Sequence, residues 1–498
     1  MFQCYESTRN SKIKTTASGA VLKGIADDGG LYVMRDLEYK NVSIENLKGK
    51  NYMEIAETIL KEMLEDFSES KIRECVVKAY SDKFSDAQVT PVVKAGDFYI
   101  TELFHGPTSA FKDVALSILP HLMKASYVMN DIKGEIIILV ATSGDTGKAA
   151  LEGFKNIKGT KIVVFYPEDG VSQVQKYQMI TQEGTNTYVC GIKGNFDDAQ
   201  RGVKKIFTNE GLVNDFKARN KIFSSANSIN VGRLVPQIVY YFYSYIRLVD
   251  SGVIKMWDKV NFSVPTGNFG NILAGYYAKL LGLPVNKFLC GSNENNVLYD
   301  FIRTGVYDRN RKFYKTISPS MDILVSSNLE RFLYYMSGKN NEEVKDLMGK
   351  LNSTGRYEIS TEMKTKINSE FYAGCVFKKD TERTIKEVFE KYGYLLDTHT
   401  AVAYKTLKEY RKETGDETVS IIMSTASPYK FSRSVYESLY GATDKKEFEV
   451  MEELSKKTGV PIPENLKELN KKKILHTKVC EINEMEDYIK TFDKEVLW

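Results

Sequence analysis

From about residue 93 onward, short apolar runs of strand length alternate with amphipathic helical patterns, and this alternation limits the folds open to the chain. The apolar runs lie at residues 97–103, 136–141, 161–166, 187–192, 260–265, 285–291 and 418–424. Strands that alternate with helices at this interval are typical of a mostly parallel sheet covered by helices on both faces. The sequence therefore predicts an α/β fold.

The residues before about 90 have a different texture and predict a separate opening unit. Apolar positions recur there at helical spacing, which predicts helices at residues 43–67 and 71–84. The chain has 498 residues, more than one hydrophobic core usually serves, so several units are expected. A Lys- and Glu-rich stretch at about 331–390 predicts a peripheral helical insertion.

Composition excludes several classes of protein. The net charge is only +4, whereas nucleic-acid-binding domains usually carry a basic surplus, so no nucleic-acid partner is expected. No apolar run reaches the ~20 residues of a membrane span, and the start of the chain lacks the apolar core of a secretory signal, so no membrane partner is expected. The six cysteines lie far apart without a CxxC pair, which indicates reduced thiols in a cytoplasmic protein. The four histidines form no HExxH motif, so no metal site is expected.

Four loops that follow predicted strands carry residues suited to chemistry. In open α/β sheets, ligands bind beyond the carboxyl ends of the strands, where helix N-termini present free N–H groups. The first loop, HGPTSAFKD at residues 105–113, places Lys112 where a helix begins. The positive helix end and partial desolvation would lower the pKa of this lysine and enrich the neutral amine that Schiff-base chemistry needs. A surface lysine beside an aspartate is the alternative interpretation.

The other three loops are rich in glycine or in small hydroxyl side chains. TSGDTG at residues 142–147 suits an oxyanion or a phosphate, but it is not a P-loop, because Ala149 stands where a Ser or Thr would hold magnesium. PTGNFGN at residues 265–271 suits a phosphate held by backbone N–H groups, although it is not a GxGxxG dinucleotide motif. STASP at residues 424–428 offers hydroxyl groups to a heteroaromatic nitrogen. Ordinary turns are the alternative for all three.

Together these loops resemble the threonine synthase family, whose members are pyridoxal-phosphate (PLP) enzymes of the tryptophan-synthase-β fold type. The resemblance covers most of the chain. It rests on YESTR (5–9), DGGLY (28–32), the four loops, SIN (228–230), SNEN (292–295) and SPSMDI (318–323). The combination of HGPTxAFKD, SGDTG and GNFG is close to specific for the family, and the chain length is similar to that of its longer fungal and bacterial branch.

The resemblance implies a fold, a cofactor and a reaction. The fold would have two open, twisted, mostly parallel-sheet domains with PLP in the cleft between them, plus an N-terminal cap domain. The implied boundaries are 1–92 for the cap, 93–135 and 231–498 for the large PLP-binding domain with its insertion, and 136–230 for the smaller substrate-side domain. The implied activity converts the small-molecule substrate O-phospho-L-homoserine and water to L-threonine and phosphate by γ-elimination and β-replacement. A monomer and a homodimer both remain open.

Carried over position by position, the resemblance assigns roles to individual residues. Lys112 would form the Schiff base with PLP and carry protons during catalysis. Thr425 would face the pyridine nitrogen. The phosphate of PLP would be held by Gly267, Asn268, Phe269, Gly270 and Asn271. The substrate side would be lined by Thr108, Ser109, Ser143, Asp145, Thr146, Asn230 and Arg233, and the guanidinium of Arg233 is a natural forked partner for a phosphate or carboxylate.

Two segments depart from the family pattern and leave alternatives open. The family usually reads SINWAR, whereas this chain has Val231 and Gly232 at the fourth and fifth positions; it usually reads STAHP, whereas this chain has Ser427. A PLP-dependent phospho-lyase that releases 2-oxobutanoate, ammonia and phosphate is one alternative, and a non-catalytic binding protein that keeps the fold is another. In addition, Pro120 is expected to end or kink the helix that carries Lys112.

Overall fold

A computed structural model describes residues 3–142 and 144–494 of the chain. Within these residues the strands form sheets of six, five, three and two strands. The two larger sheets are built almost wholly from parallel strands that are connected through helices. The α/β class predicted from the alternation of strands and helices is therefore confirmed.

The opening unit combines a small antiparallel sheet with two amphipathic helices. Its elements are β1 (Tyr5–Ser7), β2 (Asn10–Thr15), α1 (Ala17–Lys23), β3 (Tyr32–Met34), α2 (Tyr52–Met63) and α3 (Glu69–Tyr80). The helix predicted at residues 43–67 is confined to α2, because Asn51 caps its N-terminus in a reciprocal pair of hydrogen bonds with Glu54. Ile55 and Ile59 on one face of α2 are fully buried.

The next segment starts the larger sheet and carries the first candidate loop. Its elements are β4 (Val92–Ala95), β5 (Phe98–Glu102), α4 (Lys112–Leu116) and α5 (Leu119–Met129). The predicted effect of Pro120 is confirmed: the helix that starts at Lys112 ends at Leu116, and Pro120 lies in the first turn of α5. Proline has no backbone N–H, and a first turn is the place in a helix where that group has no partner to lose.

Four strands in succession then form most of the smaller sheet. Its elements are β6 (Glu135–Ala141), α6 (Asp145–Phe154), β7 (Thr160–Pro167), α7 (Gln173–Ile180), β8 (Thr187–Ile192), α8 (Phe196–Thr208), α9 (Glu210–Ala218) and β9 (Lys221–Ser224). Alternate residues of β6 face opposite sides of the sheet, so that Ile136 and Ile138 join the main core while Ile137 and Leu139 join a second core on the outer face.

The rest of the chain completes the larger sheet and then returns to the smaller one. Its elements are α10 (Val231–Asp250), β10 (Val260–Pro265), α11 (Gly270–Leu280), β11 (Val285–Ser292), α12 (Val297–Thr304), β12 (Val306–Asp308), α13 (Leu329–Met336), α14 (Asn341–Thr354), β13 (Arg356–Glu358), α15 (Thr361–Glu370), β14 (Phe371–Cys375), α16 (Lys378–Tyr392), α17 (Thr398–Thr414), β15 (Ser420–Ser424), α18 (Ser432–Tyr440), α19 (Glu447–Thr458), β16 (Val479–Cys480) and α20 (Met485–Lys494). The apolar helix α10 is buried on nearly all sides between these units.

The strand order places the candidate loops along one edge of each sheet. The larger sheet has the order β14-β11-β10-β15-β5-β4, parallel except for the antiparallel edge strand β4, and the smaller sheet has the all-parallel order β16-β8-β7-β6-β9. Because β5, β6, β10 and β15 each end directly before one candidate loop, the four loops lie at the carboxyl ends of parallel strands. Ligands bind at this end of open α/β sheets.

Two features of the structure differ from the predicted domain organisation. Residues 479–494, which were placed in the large domain, join the smaller sheet, because β16 pairs with β8 and α20 packs on the outer core. The region at 331–390, predicted as a peripheral helical insertion, contains β14, which pairs with β11 as the edge strand of the larger sheet. The other boundaries stay a prediction. No helix in the described part of the chain is long and apolar enough to span a membrane.

Candidate active site

Lys112 lies at the first position of α4, and its amine is enclosed by the other candidate loops. The Nζ atom lies 3.7 Å from Asp145 Oδ2 and 3.5 Å from Ser320 Oγ, and only 11% of the side chain is exposed. Burial lowers the pKa of Lys112 to about 8, with Asp145 acting in the opposite direction and the cations Arg233 and Lys430 adding to the decrease. A larger fraction of this amine is therefore neutral near physiological pH than in an ordinary lysine.

Asp145, in the first turn of α6, is a buried carboxylate between two lysines. Its Oδ1 atom lies 2.8 Å from Lys430 Nζ and accepts a hydrogen bond from Gln175 Nε2 at 2.9 Å. Its Oδ2 atom accepts a 3.4 Å hydrogen bond from the Ser320 hydroxyl. Burial alone would raise the pKa of Asp145, but Lys430, Lys112 and the hydrogen bonds outweigh this effect and hold the pKa well below its ordinary value. The group is therefore ionised.

The loop at residues 266–271 turns its carbonyl groups away from the site. The carbonyl of Gly267 accepts from Ser326 Oγ at 2.7 Å, and the carbonyl of Asn268 accepts from both the backbone N–H and the side-chain amide of Asn328. Phe269 has a φ of 60°, a left-handed conformation that is uncommon for a bulky residue. Within the described residues, the N–H groups of residues 267–269 have no hydrogen-bond acceptor. Such a row of free donors before a helix N-terminus suits an anion.

Ser320 connects this loop to Lys112. A Cβ atom on Gly267 would lie 2.4 Å from the Ser320 carbonyl oxygen, so only glycine allows the two backbone segments to approach this closely. The backbone N–H of Ser320 donates to Nε2 of the buried His399 at 3.1 Å, and His399 Nδ1 lies 3.0 Å from Asp397 Oδ1. The Ser320 segment therefore contacts both the loop of free donors and the amine of Lys112.

The STASP loop closes the site next to Lys112. The N–H of Phe111 donates to the Thr425 carbonyl at 2.8 Å, and the N–H of Ser427 donates to the Ser109 carbonyl at 3.1 Å. The Ser427 hydroxyl accepts from the N–H of Tyr429 and so caps the short 3₁₀ turn at Pro428–Phe431. The Thr425 hydroxyl, by contrast, makes no hydrogen bond to any other described residue, and it is free to meet a ligand.

Arg233 and Asn230, at the start of α10, have different surroundings. Arg233 is buried, and its Nη1 atom donates to the Ala226 carbonyl at 2.9 Å, while its Nε atom has no hydrogen-bond partner among the described residues. Burial lowers the pKa of Arg233 to about 10. Asn230 is fully engaged: its amide donates to the Val21 carbonyl at 2.9 Å, and its oxygen accepts from the N–H of Gly232. Asn230 is therefore seen as a helix cap, whereas Arg233 has a donor to spare for an anion.

Among the other residues predicted on the substrate side, two are engaged in hydrogen bonds within the protein. The hydroxyl and N–H of Thr108 both donate to the buried carboxylate of Asp113, at 2.6 and 2.8 Å. Ser109 has a φ of 59°, and its hydroxyl donates to Asn465 Oδ1 at 2.9 Å. Thr146 is half-buried in the first turn of α6, and Ser143 lies outside the described residues. Thr108 and Ser109 therefore shape the loop that presents Lys112.

Several residues of the site were not predicted from the sequence. Ser320 lies in the SPSMDI segment that carries part of the resemblance, but no local signal assigns it a role. His399 follows an aspartate N-cap at the start of α17, which reads locally as a capping pattern. Lys430 lies just beyond STASP, and because lysine is rarely buried, its residue type favours a surface position. None of the three could have been placed at the site without the tertiary structure.

These residues fit PLP. The free N–H groups of the 267–269 loop and the unpaired Nε of Arg233 suit anionic groups. The partly neutral amine of Lys112 suits an aldehyde, and the free hydroxyl of Thr425 suits an uncharged ring nitrogen. Of the residues predicted to hold the phosphate, Asn271 uses its side-chain amide to donate to the Pro265 carbonyl at 2.9 Å, and its predicted contact with the phosphate stays a prediction.

Comparisons with known proteins agree on one family. The family model "Threonine synthase N terminus" matches residues 4–80, and the model "Threonine synthase, C-terminal" matches residues 400–489. A threonine synthase from Saccharomyces cerevisiae is 34% identical over 469 residues, which cover 88% of this chain and 90% of the yeast protein. The crystal structure of PLP-bound threonine synthase from Brucella melitensis matches with a TM-score of 0.87 and 34% identity, covering 98% of this chain and 99% of that one.

Human threonine synthase-like 1 shows a higher identity over a smaller share of its own length. It is 39% identical over 436 residues, which cover 85% of this chain. The matched part is only 58% of the human protein, so this chain corresponds to somewhat more than half of that relative.

Proposed function

The chain belongs to the threonine synthase family, and on that premise we propose that it converts O-phospho-L-homoserine and water to L-threonine and phosphate, with PLP covalently bound to Lys112. The observation that supports this proposal most strongly is that the partly neutral amine of Lys112 contacts Ser320, whose backbone packs against the loop with the acceptor-free N–H groups of residues 267–269. An amine of this kind beside an anion cradle suits an aldehyde that carries a phosphate.

The residues that would hold the cofactor come from three of the four loops. The N–H groups at 267–270 would bind its phosphate, with Asn271 bracing the loop from behind. Thr425 would place its neutral hydroxyl against the ring nitrogen. When bound, PLP supplies an electron sink for the carbon atoms of an amino-acid substrate, and the protein supplies orientation and charge placement.

Lys112 would also move protons. Its Nζ atom, once released by an incoming amino group, is the base that removes the substrate's α-proton and later returns a proton to the product. The lowered pKa keeps this amine ready to accept a proton. Asp145 Oδ2, at 3.7 Å, stabilises the ammonium form that results.

The substrate side combines one free cation donor with a fixed loop. Arg233 would bind the phosphate or the carboxylate of the substrate through its unpaired donor, since a guanidinium matches the geometry of both groups. The rest of the substrate side would be formed by the other residues that the resemblance assigns to it, namely Thr108, Ser109, Ser143, Asp145 and Thr146. Asn230 would act on substrate only indirectly, by fixing the first turn of α10 and thus the direction of Arg233.

A phospho-lyase reaction is the second candidate, and the Ser427 departure is the observation that favours it. The Ser427 hydroxyl caps a turn and leaves no titratable group where the family usually has histidine. Water addition and simple elimination begin in the same way, so the fate of the common precursor decides between them. Only the second candidate releases 2-oxobutanoate and ammonia.

One pair of measurements tests both candidates. Borohydride reduction of purified protein with PLP, followed by peptide mapping, is expected to place the cofactor on Lys112, and Lys112→Ala is the control that should carry none. Product analysis with O-phospho-L-homoserine is expected to give threonine and phosphate in equal amounts. PLP on another lysine would overturn the proposal, and 2-oxobutanoate as the main product would replace it by the second candidate.

We also propose a cytoplasmic location for a protein whose partners are small molecules, with its six free cysteines as support. Light scattering coupled to size-exclusion chromatography would distinguish the monomer from the homodimer.

A further inference from the structure

We propose that Lys430 is a positioning residue for the reaction: by neutralising Asp145, it leaves the amine of Lys112 free to release its proton. The inference rests on the proposed role of Lys112 as the PLP-binding base. It concerns a buried lysine that touches neither the amine of Lys112 nor the cradle at residues 267–270, and that acts through the carboxylate between them.

Lys430 is completely buried, and all its hydrogen-bonding capacity is used. The Nζ atom lies 2.8 Å from Asp145 Oδ1 and donates to the Thr108 carbonyl and to Gln178 Oε1, both at 3.0 Å. A lysine can donate three hydrogen bonds, and these three partners account for them. A cation without access to water has to be paired in this way, so Lys430 holds the negative charge of Asp145 close to itself.

Asp145 is therefore shared unequally between two lysines. Its contact with Lys430 is almost 1 Å shorter than its contact with Lys112, at 2.8 Å against 3.7 Å. The nearer lysine therefore offsets part of the carboxylate's attraction for a proton on Lys112. Without Lys430, the carboxylate would have Lys112 as its only cationic partner and would favour the charged form of that amine.

The other charges around Lys112 do not compensate for Lys430. The groups that face the amine are Asp145 on α6, Arg233 on α10, Lys430 on the turn before α18, and Asp113 on its own helix. Arg233 lowers the pKa of Lys112 more than Lys430 does, and Asp113 raises it by less than either of them lowers it. Of these two cations, however, it is Lys430 that pairs with Asp145, so its loss exposes Lys112 to the full charge of the carboxylate.

A purely structural role is the competing explanation. Lys430 links the segment after β15 to α6 and α7, so its loss could open the site to water. Water entry would also raise the pKa of Lys112, because desolvation is what lowers it most. The two explanations differ in what they predict for Asp145→Asn, which weakens the same link and also removes the negative charge. Water entry would raise the pKa of Lys112, whereas loss of the negative charge would lower it.

The test measures the protonation of Lys112 without any substrate. The full-length chain, freed of PLP, is labelled with a trace of acetic anhydride across a pH series, and mass spectrometry gives the labelling of the Lys112 peptide at each pH. Lys430→Met is expected to raise the midpoint of this profile by about one pH unit or more, as a charge within a few ångströms does in a buried site. Asp145→Asn is expected to lower the midpoint.

Two further variants keep the test decisive. The double variant Lys430→Met with Asp145→Asn leaves no unpaired buried charge, so it is expected to fold even where Lys430→Met does not. Because the carboxylate through which Lys430 acts is gone, its midpoint should lie nearer to that of Asp145→Asn than to that of Lys430→Met. The matched control is Lys148→Met, which removes a half-buried lysine on α6 that pairs with Glu152 and is not among the charged groups facing Lys112. This control is expected to leave the midpoint unchanged.

An unchanged midpoint in Lys430→Met, or a raised midpoint in Asp145→Asn, would overturn the proposal. A double variant whose midpoint is as high as that of Lys430→Met would do the same, because Lys430 would then act without the carboxylate. None of these readings uses turnover, whereas the proposed function fails separately, if borohydride fixes PLP to a lysine other than Lys112.

Discussion

Replacing Gly267 by alanine is expected to weaken PLP binding by forcing apart the two backbone segments that meet in the site. The added Cβ atom would lie 2.4 Å from the Ser320 carbonyl oxygen and 3.4 Å from the Met321 Cα atom. The first distance is about 1 Å short of ordinary van der Waals contact. Both neighbours are backbone atoms, so no side chain can rotate away to relieve the overlap.

The magnitude follows from how firmly the Ser320 segment is held. Its N–H donates to His399, and the Thr316 and Asn293 side chains bind Asp322 just beyond it. Overpacking against such a segment costs about 1–3 kcal/mol. A shift of about 1 Å in the 267–269 donors also removes one hydrogen bond to a charged phosphate, worth about 1.5–3 kcal/mol. That loss corresponds to PLP affinity lowered by about 10- to 100-fold.

The assay is a spectroscopic PLP titration of the full-length chain, together with guanidinium unfolding of the same samples. Gly349→Ala is the matched control, because a Cβ at Gly349 in α14 would meet no atom within 4 Å. The control is expected to keep the PLP affinity and to gain about 0.5–1 kcal/mol of stability from better helix propensity. Wild-type PLP affinity in Gly267→Ala would refute the argument that the loop and Ser320 must touch.

Three further predictions concern other parts of the site and its support. The rate of PLP uptake, followed by stopped-flow absorbance, is expected to increase as the pH rises through about 8, because the neutral fraction of the Lys112 amine grows as the pH passes its lowered pKa. A rate independent of pH in this range would contradict the assignment of Lys112 as the residue that binds PLP. His399→Phe removes the acceptor of the Ser320 N–H and is expected to lower the free energy of unfolding in urea by about 1–3 kcal/mol. His399→Gln keeps an acceptor and is expected to lose less; equal losses would count against His399 as the support of the Ser320 segment. Arg331→Met leaves the Tyr32 and Ile229 carbonyls and the Asn328 side chain without their donor, and thermal unfolding is expected to show a loss of about 3 kcal/mol or more. The control is the exposed Arg73→Met, which is expected to cost less than about 1 kcal/mol; an equal loss in the two variants would contradict the prediction.

The parts of the site predicted from the sequence are those that a few neighbouring residues define. Lys112, the glycine loop at 265–271 and the hydroxyl groups at 424–428 each stand where a strand ends, and the structure brings all of them to one space. The resemblance to threonine synthases, drawn from the same segments, is confirmed by the family models and by the relatives. The individual roles of these residues stay predictions that the experiments above address.

The residues that sequence reasoning missed act through contacts between distant parts of the chain. Lys430 and Thr108 are 322 residues apart, and Ser320 and Asp145 are 175 apart. Neither residue type signals burial in an active site. Asn230 is a different case: it was predicted on the substrate side, and in the structure its side chain caps α10 and donates to the Val21 carbonyl, so a role toward substrate stays a prediction.

The same contrast holds for the fold. Long strands such as β7 and β8 were predicted closely, because a continuous apolar run is visible in the sequence itself. The two-residue strand β16 and the edge strand β14 were not, because short edge strands depend on hydrogen bonds to partners elsewhere in the chain.

The sequence by itself therefore determined the order of strands and helices, the positions of the four loops and the family to which the chain belongs. These properties are set by periodicity and by residue choice within a few positions, which a sequence displays directly. Only the tertiary structure decided which charges surround Lys112 and thus how readily it gives up a proton. Electrostatic interactions and desolvation depend on distance through space, and the 3.7 Å between Lys112 and Asp145, like the 2.8 Å between Asp145 and Lys430, exist only in the folded chain.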